Sequence, residues 1–137
     1  MDWRRRTALA CGMLEAAADI LPDVPPSAYA CLASQLRAMV SPRRGRFSWR
    51  PVRAPRATGA LLAVLAQEHE WLIAETDEAA NLMETVAAEP HRIAPDAIGF
   101  AIAGQLRAMR SHRRWIEALL CRADAAPPAR PAGAVLH

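Results

Sequence analysis

The stretch RRGRFSWRPVRAPR, residues 43–56, holds six arginines, one phenylalanine and one tryptophan in fourteen positions. Guanidinium groups neutralise phosphates and offer them paired N–H donors, while an aromatic ring stacks on an unpaired base. That pairing is the chemistry of a single-stranded nucleic-acid site, with Arg43, Arg44, Arg46, Arg50, Arg53 and Arg56 on the backbone and Phe47 and Trp49 on bases. Gly45, Pro51 and Pro55 favour an extended segment over a helix. A second basic cluster, RSHRRW at 110–115, contributes Arg110, Arg113 and Arg114, and three of the four tryptophans (Trp3, Trp49 and Trp115) adjoin an arginine. Arginine and tryptophan are also the residues that dominate protein interfaces, so docking on a protein partner is the second reading. The plain structural reading is a linker whose aromatic residues pack back on the protein's own helices.

Other residues suggest chemistry less strongly. Glu68, His69 and Glu70 stand in a row, but on a helix consecutive side chains point in three directions and do not converge on one metal ion. His69 falls on an apolar face, as a core histidine would. Di-iron carboxylate bundles use Glu-x-x-His pairs on facing helices, a spacing absent from this chain. Glu75 and Glu78 have the Glu-x-x-Glu spacing with which all-α nucleotide pyrophosphatases hold magnesium. Such a site needs a second acidic pair on a facing helix, where only Asp96 and Glu117 are on offer. We therefore expect no metal and no cofactor. The six residues RAMRSH at 107–112 fit an Arg-x4-His pattern that resembles the motif of HEPN ribonucleases, which are also small helical bundles. The resemblance implies that Arg107 binds a scissile phosphate while His112 moves protons, which an imidazole does near neutral pH. It defines the enzymatic alternative to a non-catalytic binding protein.

The elements that position these residues are legible from composition. A chain of 137 residues, 53% of them hydrophobic, suffices for one domain with a core. Alanine is abundant, aromatic residues make up only 5%, and β-branched residues are sparse, so the expected class is all-α. The net charge is +3, and all 17 basic residues are arginine. Cys11, Cys31 and Cys121 form no CxxC pair and lie in apolar helical sequence, so they read as reduced core residues of a cytoplasmic protein. The start MDWRRRTALACG imitates an export signal, yet Glu15 and Asp19 interrupt its apolar stretch, and neither export nor a membrane span is expected.

One internal regularity bears on architecture. CLASQLRAMVSPRR at 31–44 recurs as AIAGQLRAMRSHRR at 101–114, at a constant offset of 70 that also pairs Ala10 with Ala80, Met13 with Met83 and Pro25 with Pro95. Two tandem helical hairpins forming a four-helix bundle are the expected result. The prolines mark the boundaries. They give a short first hairpin at about 3–41, an arginine-rich linker at 42–57 and a long second hairpin at about 58–123. The last residues, 124–137, contain proline and glycine without periodicity and read as a disordered tail.

Within the third helical stretch, Leu62, Leu65, Leu72, Ile73, Ala80, Met83 and Ala87 share one face, with a polar stripe of Glu70, Asp77, Asn81 and Glu84 opposite. Residues 57–89 hold seven acids and no arginine. Glu68 and Glu75 border the apolar arc and call for cationic partners. Arg37 and Arg107, the arginines of the two QLRAM copies, are expected to supply them as structural ion pairs. Apolar positions late in the long second hairpin, such as Ile116, Leu119 and Leu120, need cover, which favours a homo-oligomer or a place in a larger complex. The whole reads as a non-catalytic accessory subunit that contacts nucleic acid without strong sequence preference.

Overall fold

Proline and helix-forming residues alternate along the chain, and the helices start and stop accordingly. In the computed structural model, which describes residues 3–40 and 59–124, α1 is Trp3–Asp19, α2 Pro26–Val40, α3 Gly59–Ala88 and α4 Pro95–Asp124. No strand occurs among the described residues. Pro22 follows the end of α1, and Pro90 follows that of α3. Pro26 and Pro95 open α2 and α4, where the missing N–H would lack an intrahelical partner anyway. Asp96 in the first turn of α4 complements the positive end of the helix dipole. The linker at 42–57 and the tail at 124–137 fall almost wholly outside the described residues.

Each helix contributes to one core. Leu14 of α1, Leu36 of α2, Met83 of α3 and Ile102 and Met109 of α4 are completely buried. Removing a side chain of this size from water stabilises the fold by about 1.5–3 kcal/mol. The helices form a closed ring of neighbours, α1 beside α2, α2 beside α3, α3 beside α4 and α4 beside α1. Cross-helix pairs fix their directions. His69 meets His112 while Thr76 meets Gln105, so α3 and α4 run antiparallel. Glu15 meets Arg110 while Leu21 approaches Gly99, so α1 and α4 do as well. The turns after α1 and α3 come together at one end, where Leu21, Val24, Pro90 and Ile93 line a common open cleft. The start of α1, the start of α3 and the end of α4 therefore share the other end, while α2, half the length of α3, stops midway along it, with Arg37 level with Asp77 to Glu84.

Two expectations are corrected here. Cys31 is exposed and Cys11 half-buried, so neither belongs to the fully buried core; burial pushes the Cys11 thiol pKa up. The polar stripe of α3 is also more than a solvated back. Asp77, Asn81 and Glu84 flank the buried row Leu72, Ala79 and Val86 on the side of α2 and hold a side chain of that helix. Among the described residues, no helix is long and apolar enough to cross a membrane.

Candidate nucleic-acid interface

The second arginine cluster lies in the later half of α4, whose apolar row Ile98, Ile102, Gln105, Met109 and His112 turns inward. That phase forces the intervening arginines outward. Arg114 is exposed and makes no ion pair among the described residues. Arg110 binds Glu15 of α1, and Arg113 donates from Nε to Oε1 of Glu117 at 2.8 Å one turn along α4. Both guanidiniums remain about half exposed, with 50% and 49% of the side-chain surface accessible. A guanidinium has five N–H donors, and a single-point contact to a carboxylate leaves most of them available. Exposed pairs of this kind are worth little and exchange readily for a phosphate.

The first cluster, Arg43, Arg44, Arg46, Phe47, Trp49, Arg50, Arg53 and Arg56, lies outside the described residues. Connectivity alone is informative about it. Chain segment 41–58 departs from the end of α2 and returns at the start of α3. The return point, the start of α3, belongs to the end of the ring where Arg5 and Arg6 open α1 and towards which Arg113 and Arg114 stand on α4; the departure point, the end of α2, lies midway along α3. Asp19, Asp23, Glu89 and Asp96 cluster around the turns at the opposite end. Arg92 also stands at that end, and Glu68, Glu70 and Glu117 stand near the arginines of α4, so among the described residues the asymmetry of charge along the long axis is modest.

The predicted ion-pair residues are distributed differently from expectation. Arg37 bonds Glu84 through Nε at 2.6 Å and Nη2 at 2.9 Å, Asp77 through Nη1 at 2.7 Å and Asn81 through Nη2 at 2.5 Å. All four contacts fall on the α3 stripe, in place of Glu68 and Glu75. The hydrogen bonds from Arg37 hold the Glu84 carboxyl below its usual pKa. Glu68 is half-buried, Glu75 exposed, and Arg107 exposed; none of the three makes an ion pair among the described residues. The reason is rotational. Asp77, Asn81 and Glu84 sit on the flank of α3 turned to α2, whereas Glu68 and Glu75 sit on the other flank.

Arg107 and His112 do not form one site. Five residues apart on a helix, they project in widely different directions, Arg107 to solvent and His112 into the core at 4% exposure. The ring of His112 lies against that of His69, with Nε2 3.5 Å from His69 Nδ1. Burial, reinforced by the charge of His69, pushes the His112 pKa down to about 4, and burial lowers that of His69 as well. A further buried contact, Gln105 Nε2 donating to Thr76 Oγ1 at 2.7 Å, lies two turns away. The sequence reading missed these cross-helix pairs. Their signal was present: His69, Thr76, Gln105 and His112 all occupy the apolar phase of their helices. Among the described residues, no group of three or more His, Cys, Asp or Glu side chains is placed to hold a metal ion. No family model, curated protein or solved structure matches the chain.

Proposed function

We propose that this chain is a small non-catalytic helical subunit that attaches to nucleic acid through the arginine-rich end of its helical ring. In this reading it is built from two tandem hairpins related by the offset of 70, and the connection between them carries the main contact residues. Arg43, Arg44, Arg46, Arg50, Arg53 and Arg56 neutralise phosphates, Phe47 and Trp49 stack on bases, and Arg110, Arg113 and Arg114 extend the surface along α4. The supporting observation is position: the segment with six arginines returns to the helices at the start of α3, the end that also bears Arg5, Arg6 and Arg114. Electrostatic attachment of this sort is tolerant of sequence, because the backbone it reads is the same everywhere.

Fluorescence anisotropy with a labelled single-stranded oligonucleotide tests the reading. With six or more phosphate contacts, affinity should fall by about 10³-fold or more between 50 and 200 mM salt. Replacing the six linker arginines by glutamine should remove most of the binding and flatten its salt dependence. Absence of binding at the lower salt concentration would overturn the proposal. Binding that ignores salt would point instead to an interface centred on aromatic residues.

A further inference from the structure

Phe100 is 84% exposed, more than any other large apolar side chain among the described residues. A ring left so far out in water calls for a reason, and its neighbours along α4 supply one. The buried row Ile98, Ile102, Gln105, Met109 and His112 points into the core. A helix turns by about 100° per residue, so Arg107 stands directly opposite that row. Phe100 and Arg114 each lie two turns from Arg107, which returns them to within about 20° of its direction. Arg110 stands about 60° round the helix towards α1, where it meets Glu15. One strip on the outer surface of α4 therefore carries the ring, then Arg107, then Arg110 and Arg114, over about 21 Å of helix.

The residues between them are small. Ala103, Gly104 and Ser111 are exposed, and a Cβ added at Gly104 would meet no atom within 4 Å. The ring and the guanidiniums thus stand clear of one another, with room for a chain to lie among them. The charges are sorted along the strip. Its own acid is Asp96, in the first turn of α4 and one turn before Phe100. Glu15 on α1 and Glu117 on the α1 side of α4 are held by Arg110 and Arg113. From Phe100 onward the outermost charges are cationic, and neither Arg107 nor Arg114 makes an ion pair among the described residues.

We infer that this strip is a track for a single strand of nucleic acid, with the backbone on Arg107, Arg110 and Arg114 and one base stacked on Phe100. Phe100 and Arg107 thereby join the contact residues of the nucleic-acid reading, on which this track rests. Charge complementarity selects a polyanion, and the ring selects one with flat faces to stack. Asp96 repels phosphates, so the strand leads from Phe100 towards the end of α4, the end at which the arginine-rich segment rejoins the helices at the start of α3. An acidic protein segment would satisfy the arginines and give the ring nothing to stack on.

Fluorescence anisotropy of the full chain with a labelled oligothymidylate, and with an abasic strand of equal length, separates the two contributions. Phe100→Ala should weaken binding of the oligothymidylate about tenfold and leave binding of the abasic strand unchanged. Arg107→Gln should weaken both and lower the slope of log affinity against log salt by about 0.7. Both side chains are exposed, so the helical circular dichroism should not change in either variant. Wild-type binding by both variants would overturn the track and leave the nucleic-acid reading to the arginine-rich segment. Equal weakening of the two strands by Phe100→Ala would overturn it as well, since a stacked base would then have no part. Displacement of the strand by poly-glutamate as readily as by unlabelled oligothymidylate would overturn it in favour of an acidic protein segment. A wild-type chain that binds neither strand would remove the track and the proposed function together.

Discussion

The five residues QLRAM occur twice, at 35–39 in α2 and at 105–109 in α4, and the two copies end up in different surroundings. Their leucines agree: Leu36 and Leu106 are both buried, at 0% and 8% exposure. Their polar residues do not. Gln35 is half-buried, whereas Gln105 is buried and bonded to Thr76. Arg37 is held at three residues of α3, whereas Arg107 stands exposed. The difference comes from the helix across the way. α2 turns Arg37 to the acidic α3; α4 packs beside both α3 and α1, and in α1 the positions 70 residues before Asp77, Asn81 and Glu84 are Thr7, Cys11 and Leu14. An identical stretch fixes helix and phase, while the neighbour decides what its polar groups do.

The largest effects should appear where the copies agree. Leu36→Ala and Leu106→Ala should each destabilise the fold by about 2–5 kcal/mol, read by urea denaturation. A Leu106 variant within experimental error of the wild type would mean that the second copy is not packed as the first is. Next comes the glutamine. Gln105→Leu strands the Thr76 hydroxyl in the core and should cost about 1–3 kcal/mol, while Gln35→Leu, at a half-buried site, should change stability little.

The second copy also contains a residue the first lacks. His112 falls where the first copy has Pro42, and its burial beside His69 makes the folded state favour the neutral ring. The folded pKa, about 4, lies below the unfolded value of 6.5, so the unfolded chain binds the extra proton first. Stability from this site is complete above about pH 6.5 and declines as pH falls towards 4. His112→Leu should flatten that part of a plot of melting temperature against pH.

Much of this was readable in the sequence because it depends on local rules. Pro22, Pro26, Pro90 and Pro95 punctuate the helices, and the apolar rows of α3 and α4 identify which side chains turn inward, His69 included. What periodicity could not supply was the rotation of one helix against another. Arg37 was recognisable as an ion-pair residue needing carboxylates on α3. The choice of Asp77 and Glu84 over Glu68 and Glu75 rests on which flank of α3 is turned to α2, a property of two helices together. The same limit hid the Glu15–Arg110 contact.

The subtlest contrast is between the two arginines themselves. Arg37→Ala removes every contact to Asp77, Asn81 and Glu84 and leaves two unpaired carboxylates two turns apart on α3, so its melting temperature at pH 7 should drop. Because Arg37 holds the Glu84 pKa below the ordinary 4.5, its contribution is present above that value and is lost as pH falls through the lowered one. The gap between Arg37→Ala and wild type should therefore narrow in acid as Glu84 is protonated. Arg107→Ala has no such carboxylate among the described residues of its own chain. It should shift the melting temperature little at any pH. A pH-dependent gap at Arg107 would reveal a carboxylate partner and make the two copies alike after all.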